Sequence, residues 1–321
     1  MLIRASIGTL AQLSMADIKM IEAPTTAYLL QYSPYGCSAS CTFCSQSKKS
    51  SSNKDMLSRI RWPTVELDEI IRGIIQNEGK FKRICIQSIL KERFEEELLF
   101  IVKRIRKAGI RLPISLSISP VNKDFLLKAK EVGVDFVGIG LDAASPRVFA
   151  EVKKPYSWDE YWNSIRDSTG ILGRRRVNVH LIFGLGETEA ELAKAMQRIY
   201  SAGAEVSLFA FTPVAGTPTE GKGRPDVVRY RIAQILRFLL SKGYELKEVA
   251  YFEGDKVVLR KGPWLRGIEA AFLTSGCPGC NRPFYNESPK LIYNYPSFTL
   301  LERDLSTLRE QLSKAGLMGV L

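Results

Sequence analysis

The sequence is organised around one cysteine-rich stretch, Gly36-Cys37-Ser38-Ala39-Ser40-Cys41-Thr42-Phe43-Cys44-Ser45. Its thiols follow a C-x3-C-x2-C spacing, and the apolar run Thr26-Ala27-Tyr28-Leu29-Leu30 precedes them. A strand that delivers such a loop can place three thiolates around a four-iron cluster, which leaves one iron open to a chelating small molecule. The ring of Phe43, just before the last cysteine, can lie flat beside an adenine ring. The stretch therefore predicts an iron–sulfur site with a small molecule bound next to it.

Two other uses of these thiols are a zinc knuckle and a disulfide. Zinc would need a fourth cysteine or histidine nearby, and the single histidine, His180, is far away in sequence. Disulfides are rare in the reducing cytosol, and the N-terminus has no charged-then-apolar signal pattern. The spacing therefore favours a cluster at Cys37, Cys41 and Cys44.

The composition is that of a globular protein. The chain has 321 residues, of which 45% are hydrophobic, enough for one large domain or a domain with an extension. No segment reaches the ~18 apolar residues that a membrane span needs. We expect a cytoplasmic protein whose six cysteines serve metal or redox chemistry.

The chain is basic, with 46 lysines and arginines against 34 acidic residues and a net charge of +12. The basic residues are dispersed in short runs, for example over 103–111 and 174–176, and no run interleaves with aromatic residues as a nucleic-acid surface would. Solvated helix faces account for most of this charge, and an acidic protein partner is the alternative. We therefore expect no nucleic-acid partner.

Short apolar runs alternate with amphipathic segments between residues 26 and 245. Continuous apolar runs are typical of buried parallel strands, and the apolar residues of the other segments recur near every 3.6 positions. The predicted strands are 26–32, 83–87, 113–117, 136–141, 177–183 and 206–211. The predicted helices are 66–76, 94–107, 123–132, 158–168, 187–201 and 227–240. This order predicts an α/β fold, a partial (β/α)6 TIM-like barrel with its chemistry at the C-terminal strand ends.

The flanking segments depart from this pattern. Residues 1–25 are predicted to be a helical extension, with an amphipathic helix over 4–20. Residues 246–321 are predicted to be a C-terminal extension packed on the mouth of the barrel. The elements predicted in it are a hairpin over 248–260 and helices over 264–272 and 298–315.

A second pair of cysteines lies in the extension, within Cys277-Pro278-Gly279-Cys280. The C-x2-C spacing lets both thiolates bind one metal or one cluster edge, and a redox pair is the alternative. Cys85 lies in a predicted strand, where it is either a small buried hydrophobic residue or a third ligand of the same site. We predict a second cluster held by Cys277, Cys280 and Cys85, with Ser275, Ser297 or an open position as the fourth ligand.

Residues at the strand ends are candidates for contacting the small molecule. Gln87 ends the second predicted strand, where polar groups can hold an amino group. Asp142 ends the fourth, where a carboxylate can bind ribose hydroxyl groups or cap the next helix. Phe211 ends the sixth and is predicted to border the same ligand.

The stretch His180-Leu181-Ile182-Phe183-Gly184-Leu185-Gly186-Glu187 is a further candidate. A strand that ends in two glycines lets the backbone near Ile182 approach an adenine edge, and Glu187 opens the next helix. An ordinary strand–helix turn is the alternative. We interpret His180 itself as a core residue, and no side chain is assigned as an acid, base or nucleophile.

Together these motifs resemble radical S-adenosylmethionine (SAM) enzymes of the biotin synthase and lipoyl synthase group, over roughly residues 26–245. The spacing of the first three cysteines is that superfamily's cluster motif. The stretch from His180 to Glu187 is similar to the family's Gly-x-Ile-x-Gly-x-x-Glu motif, with histidine in place of the first glycine. Asp142 falls where biotin synthases carry an Asn-Leu-Asp segment near the SAM ribose. The resemblance implies a SAM-binding 4Fe–4S cluster.

The chain departs from biotin synthases at their second, two-iron cluster, which three strand cysteines and an arginine hold. Cys85 matches the first of these cysteines, but Ser115 and Asn178 stand at the other two positions. That cluster therefore cannot form in the same way. The C-terminal pair Cys277 and Cys280 instead resembles the biotin-synthase-like proteins of archaea that act in pairs as a two-component lipoyl synthase.

The resemblance implies a radical SAM sulfurtransferase, one component of a lipoyl synthase. In such enzymes SAM yields a 5′-deoxyadenosyl radical, and a sacrificial auxiliary 4Fe–4S cluster gives sulfur to a protein-bound octanoyl chain. The implied partners are an octanoylated lipoyl-carrier protein or octanoyl-lysine peptide, a ferredoxin-type electron donor and a sister radical SAM subunit. The alternatives are a biotin-synthase-like or other radical SAM enzyme with a different small substrate, and an iron–sulfur scaffold subunit.

Overall fold

A computed structural model describes the backbone of residues 1–321 and every side chain except that of residue 78. The strands are, in chain order, β1 (Leu2–Ala5), β2 (Thr26–Gln31), β3 (Met56–Leu57), β4 (Ile60–Arg61), β5 (Thr64–Glu66), β6 (Arg83–Gln87), β7 (Ile114–Ile118), β8 (Phe136–Asp142), β9 (Val177–Phe183), β10 (Glu205–Ala210), β11 (Ala250–Glu253) and β12 (Lys256–Leu259). The α-helices are α1 (Ile7–Gln12), α2 (Leu67–Gln76), α3 (Phe94–Lys107), α4 (Lys123–Glu131), α5 (Pro146–Glu151), α6 (Trp158–Leu172), α7 (Glu189–Ser201), α8 (Val227–Ser241), α9 (Leu246–Val249), α10 (Phe298–Arg303) and α11 (Leu305–Lys314). No helix of the described chain combines the length and the apolar character that crossing a membrane would take.

One sheet of eight strands, in the order β10-β9-β8-β7-β6-β2-β1-β5, forms the centre of the molecule. The strands from β10 to β2 run parallel, and helices connect each to the next. All residues of β2 are buried, as expected of a strand covered on both faces. Helix α3 buries Leu98, Ile101, Val102 and Ile105, the spacing that turns one apolar face towards a sheet. The structure thus confirms the predicted α/β fold and partial barrel, with the carboxyl ends of the strands on one rim.

The N-terminal segment differs from the predicted helix over 4–20. It begins with β1, which pairs antiparallel with both β2 and β5, and only α1 is helical. The alternating residues Ile3 and Ala5 are fully buried, and Ser6 ends the strand by capping α1 through a bond from the Thr9 N–H. The prediction was wrong because the open edge of β2 supplies hydrogen bonds to residues whose spacing also suits a helix.

The C-terminal segment is partly as predicted. The hairpin is confirmed as β11 and β12, which pair antiparallel. The helix predicted over 264–272 is wrong: two 3-10 turns, Pro263–Leu265 and Glu269–Phe272, stand there, separated at Gly267 with φ +63°. The helix predicted over 298–315 is interrupted at Asp304, whose carboxylate accepts a hydrogen bond from the Tyr295 hydroxyl at 2.6 Å.

The segment over 275–286 closes the opening between β2 and β10, the first and last strands of the parallel series. Ser275 Oγ accepts a hydrogen bond from the N–H of Leu208 on β10 at 2.9 Å. The ring of Tyr285 packs against that of Tyr28 on β2, with 4.6 Å between the ring centroids. The same segment also reaches the carboxyl-end rim, where the Asn286 carbonyl oxygen accepts a hydrogen bond from Thr212 Oγ1 at 2.7 Å.

Candidate active site between two groups of cysteines

The first three cysteines, here called the loop cysteines (Cys37, Cys41 and Cys44), follow the carboxyl end of β2 and are free thiols. Burial raises the pKa of Cys44 to about 12 and also raises that of Cys41, and the neighbouring loop thiols add to both shifts. Such mutual shifts require sulfur atoms that lie close together. A bound cation would offset this cost of ionising them, so the donor set fits an iron–sulfur cluster.

A single metal ion fits these thiols less well. Within the described part of the chain, no group of three or more cysteine, histidine or acidic side chains surrounds a point suited to one ion. A four-iron cluster is larger than an ion, and each thiolate binds a different corner of it. The zinc alternative therefore gains no support from the geometry.

The loop is held from within by a lysine and a glycine. Lys54 Nζ donates hydrogen bonds to three carbonyl oxygens that follow Cys44, those of Ser45 (3.0 Å), Ser47 (2.9 Å) and Ser50 (3.0 Å). Gly36 has φ +74°, and a Cβ atom there would lie 2.6 Å from the Gln46 carbonyl oxygen. Because only glycine fits at this position, the entry of the loop is fixed by its sequence.

Beside the loop, a buried ion pair joins Asp142 and Lys154. Lys154 Nζ lies 2.6 Å from Asp142 Oδ2, and both side chains are buried. The ammonium group also lies 5.8 Å from the centre of the Phe43 ring. Burial lowers the pKa of Lys154, but Asp142 together with Cys41 and Tyr161 outweighs it and raises the pKa well above its usual value. The lysine is therefore charged and places one positive charge next to the loop cysteines.

Five of the six residues predicted to contact the small molecule line one internal cavity: Phe43, Gln87, Asp142, Ile182 and Phe211. Glu187 lies outside that lining. Its carboxylate accepts hydrogen bonds from the N–H groups of Gly184 and Leu185, at 2.5 and 3.0 Å. In the structure Glu187 thus holds the turn after β9.

His180 also faces the cavity, although the sequence suggested a core residue. Its ring lies 5.3 Å from that of Phe209, centroid to centroid. Room for it depends on Gly138, where a Cβ atom would lie 2.9 Å from His180 Nε2. Burial lowers the pKa of His180 to about 4, so the imidazole is neutral at ordinary pH.

The other three thiols, here called the auxiliary cysteines (Cys85, Cys277 and Cys280), line the same cavity. Burial raises the pKa of Cys85 well above its usual value, and Cys277 and Cys280 raise it further, so the thiols are neighbours. They lie towards the amino ends of the strands, because the Pro278 carbonyl oxygen accepts a bond from Nε of Arg83, the first residue of β6 (2.9 Å).

Ser115 and Asn178, which stand where biotin synthases have cysteines, both contact Cys277. Ser115 Oγ lies 3.3 Å and Asn178 Nδ2 lies 2.9 Å from Cys277 Sγ. The Tyr28 hydroxyl lies 3.1 Å from Cys280 Sγ. The proposed fourth ligands are engaged elsewhere, since Ser275 binds the backbone of β10 and Ser297 caps α10.

Two arginines flank the auxiliary cysteines. Arg83 is 4% exposed, and Arg282 lies with its guanidinium carbon 4.1 Å from the centre of the Phe209 ring. Among the ion pairs of the described residues neither arginine has a carboxylate partner. Burial raises the pKa of Cys85 and Cys277, and the charges of both arginines oppose that rise. Buried cations without carboxylates fit a site occupied by thiolates and the cluster they would hold.

The cavity connects the two thiol groups. Phe43 and Cys44 line it towards the carboxyl ends of the strands, and the auxiliary cysteines line it towards the amino ends. Between them stand aromatic and apolar walls that include Trp62, Phe209 and Phe211. The cavity thus brings Cys44, the auxiliary cysteines and apolar walls to one enclosed space.

Sequence reasoning missed Lys154, Tyr28, Arg83 and Arg282. Lys154 lies in the connection between α5 and α6, next to a second lysine, Lys153, and the sequence gave no reason to distinguish the two. Tyr28 contacts Cys280, which is distant in sequence, and Arg83 and Arg282 bind Pro278 and Ser275 through contacts that no local pattern predicts. The one available signal was that Ser115 and Asn178 occupy known cysteine positions, which would have pointed to their strands as walls of the auxiliary site.

Comparison with known proteins agrees with this geometry. The family described as the radical SAM superfamily matches residues 32–199, just over half of the chain. A biotin synthase of Aquifex aeolicus is 26% identical over 216 residues, which are 64% of this chain and 61% of that protein. One of Aromatoleum aromaticum is 25% identical over 277 residues, 77% of this chain and 81% of that protein. The chain thus spans about three fifths of the Aquifex protein.

A solved structure with the same fold is that of a methylornithine synthase. It superposes with a TM-score of 0.53 at 18% identity, covering 66% of this chain and 62% of that one. The family match over residues 32–199 contains the loop cysteines and most of the parallel strands. The chain belongs to the radical SAM superfamily, and its cofactors are accordingly a 4Fe–4S cluster and SAM.

Proposed function

We propose that this chain inserts sulfur into an unactivated carbon of a protein-bound octanoyl group, as one component of a lipoyl synthase. The observation that supports this most strongly is the shared cavity, which Cys44 of the loop cysteines lines together with all three auxiliary cysteines. A sulfur-inserting enzyme needs a radical source and a sulfur source on opposite sides of one substrate. The curated relatives named biotin synthase agree with the coarser statement, a biotin-synthase-like sulfurtransferase.

The cofactors supply the hard chemistry: when bound, the cluster and SAM yield a 5′-deoxyadenosyl radical that removes hydrogen from carbon. The loop cysteines would hold that cluster, and Phe43 and the backbone at Ile182 would border the adenine. Asp142, which Lys154 holds in place through an ion pair, would bind the ribose hydroxyl groups. The apolar walls exclude water and align the acyl chain between the two thiol groups.

Cys277, Cys280 and Cys85 would hold the auxiliary cluster from which the sulfur is taken. Their place at the far end of the cavity fits this role, as do Arg83 and Arg282, which offset negative charge there. The donor set is soft and rich in thiols, as iron–sulfur clusters require. The auxiliary cluster would be the part of the site that distinguishes sulfur insertion from other SAM chemistry.

The partners we propose are an octanoylated lipoyl-carrier protein or peptide, a ferredoxin-type electron donor and a sister radical SAM subunit. The net charge of +12 favours acidic proteins among these. We place the protein in the cytoplasm, because all six cysteines are free and a reducing compartment keeps such thiols available for clusters.

The direct test is mass spectrometry of an octanoyl-lysyl peptide after anaerobic incubation with SAM and a reductant. We expect the mass of the peptide to increase by that of the inserted sulfur. Reactions with and without a candidate sister subunit are compared in parallel. Formation of 5′-deoxyadenosine without any sulfur-containing peptide under both conditions would contradict the proposed substrate. Isotopically labelled sulfide in the auxiliary site would show whether that site is the source.

Two cysteine substitutions separate the roles of the thiol groups. Cys41→Ala removes a ligand of the SAM cluster and should abolish 5′-deoxyadenosine formation, measured by chromatography. Cys280→Ala leaves that cluster intact and should retain SAM cleavage while losing the sulfur product. Each variant thus controls for the other, and normal sulfur insertion by Cys280→Ala would refute the auxiliary cluster.

A biotin-synthase-like enzyme with another small substrate is the second candidate, favoured by the names of the relatives. Against it, two of the three strand cysteines of that group are replaced here, by Ser115 and Asn178, and only Cys85 matches. Incubation with a deproteinised cell extract, followed by a search for sulfur-containing products, distinguishes the two. An iron–sulfur scaffold subunit, the remaining alternative, would form no 5′-deoxyadenosine under reduction.

A further inference from the structure

The auxiliary cysteines differ in their hydrogen bonding. Two donors meet Cys277 Sγ, the Ser115 hydroxyl and the Asn178 amide, and one donor, the Tyr28 hydroxyl, meets Cys280 Sγ. Cys85 has no such donor among the described hydrogen bonds, and its surroundings are apolar and aromatic. Two of the three ligand sulfurs are thus polarised by the protein and one is not.

The direction of each bond is fixed by a second contact. Ser115 Oγ accepts a hydrogen bond from Arg83 Nη1, so its own proton is free for Cys277. Tyr28 Oη accepts the backbone N–H of Arg282 at 2.9 Å, so its proton is free for Cys280. These hydroxyl groups therefore act as donors to sulfur.

Asn178 contributes the third donor. The side chain is 1% exposed, and its Nδ2 lies 2.9 Å from Cys277 Sγ. Its Oδ1 has no hydrogen-bond partner among the described residues. Leaving a buried carbonyl unpaired costs free energy. The amide nevertheless points its N–H group towards the sulfur, the orientation in which it would stabilise a thiolate bound to a cluster.

We infer that Ser115, Asn178 and Tyr28 are positioning residues that orient Cys277 and Cys280 and raise the reduction potential of a cluster bound there. This inference rests on the proposed function, because it presupposes a cluster at the auxiliary cysteines. Hydrogen bonds to a ligand sulfur withdraw charge from it and so stabilise the reduced cluster. The strand positions that carry cysteines in biotin synthases support, in this chain, a ligand supplied by the C-terminal segment.

The test uses the full-length protein, anaerobically reconstituted with iron and sulfide, in a Cys37→Ala/Cys41→Ala/Cys44→Ala background that leaves only the auxiliary site. The midpoint potential is measured by redox titration followed by electron paramagnetic resonance. Ser115→Ala, Asn178→Ala and Tyr28→Phe should each retain iron and shift the potential to more negative values. A chelator should also remove iron from these variants more readily, because their affinity for the metal should be about 10- to 100-fold weaker.

The matched control is Ser117→Ala, which removes the same hydroxyl two residues further along β7. Ser117 lines the cavity, and no bond from it to sulfur is described. Its potential should equal that of the background. Equal potentials for Ser115→Ala, Tyr28→Phe and Ser117→Ala, with the cluster present, would overturn this inference alone. Absence of any cluster in the background protein would overturn the inference together with the auxiliary site of the proposed function.

Discussion

His180 is the single histidine of the chain, and its neutral state at the cavity wall has a consequence for stability. Burial lowers its pKa to about 4 in the folded protein, whereas an unfolded histidine titrates near 6.5. Between these values the unfolded chain binds the extra proton. The free energy of unfolding is therefore unaffected by His180 above pH 6.5 and falls as the pH drops towards 4, by about 3 kcal/mol in total.

This can be measured by comparing the urea unfolding of the wild type and His180→Gln from pH 7.5 to 4.5. The free energy of unfolding of the wild type should fall relative to that of the variant as the pH drops, because only the wild type carries the titrating ring. Proton NMR offers an independent check, since one histidine gives one set of ring signals. A folded-state midpoint near 6.5 would contradict the buried, neutral imidazole.

Single residues of the site were predictable from sequence to different degrees. Cys37, Cys41 and Cys44 were found because their spacing is local and one short loop brings them together. Lys154 was not, because its pairing with Asp142 depends on a backbone turn in which Asp142 has φ +64°. Tyr28 was missed because its partner, Cys280, is supplied by a segment that is distant in sequence.

Among the elements, the strands and helices of the barrel were predictable because each shows one clear hydrophobic period. The strands β6 and β9 begin and end where the sequence placed them. The N-terminal strand β1 was not predictable, since its pairing partners β2 and β5 decide its conformation. The 3-10 turns near Gly267 show the same limit, because a positive φ ended a helix that the apolar spacing favoured.

The loop that carries the cysteines depends on Lys54 as an internal clamp. Lys54→Met removes three hydrogen bonds to carbonyl oxygens while keeping the aliphatic stem. Bonds to a charged donor contribute about 1.5–3 kcal/mol, so opening of the segment over 44–50 should become roughly 10- to 100-fold more frequent. Hydrogen exchange of these amides, followed by mass spectrometry, measures this.

The control for the clamp is Lys49→Met, in the same loop. Lys49 is exposed, and its side chain has no described hydrogen bond. Its exchange should match the wild type. Protection unchanged in Lys54→Met would show that the loop is held by other contacts, such as those of Gly36.

The molecule as a whole presents a basic concavity on the outer side of the cysteine loop. It is lined by Ser38, Ala39, Ser40, Lys48, Leu90, Lys153, Lys154, Pro155 and Tyr156, with no acidic residue, and its exposed charges are those of Lys48 and Lys153. Electrons for the cluster must cross the protein by a short path, and this surface lies directly behind the loop cysteines. An acidic one-electron carrier, the donor proposed above, would be attracted to it.

Reversing these charges tests the expectation. Lys48→Glu/Lys153→Glu should slow SAM cleavage driven by an acidic ferredoxin by about tenfold or more at low salt, because charge steers association. Cleavage driven by dithionite, a small reductant, should be unchanged. Lys103→Glu/Lys107→Glu on the exposed side of α3 is the control and should affect neither. An equal loss with both reductants would show damage to the site itself.

For the molecule as a whole, the sequence predicted the barrel and the presence of an extension. It did not predict which contacts attach the extension to the barrel. Arg231 of α8 is fully buried and donates hydrogen bonds to the carbonyl oxygens of Ile292 and Tyr293. Such contacts connect residues about sixty positions apart, and no local pattern encodes them.

The auxiliary cysteines come from opposite parts of the chain, one from β6 and two from the segment that closes the barrel. During synthesis the loop cysteines leave the ribosome within a few residues of one another. The auxiliary trio meets only after the segment over 275–286, far beyond Cys85 in the sequence, has emerged and docked. Iron delivered to a nascent chain would therefore fill the first site early, whereas the proposed second site would wait for that docking.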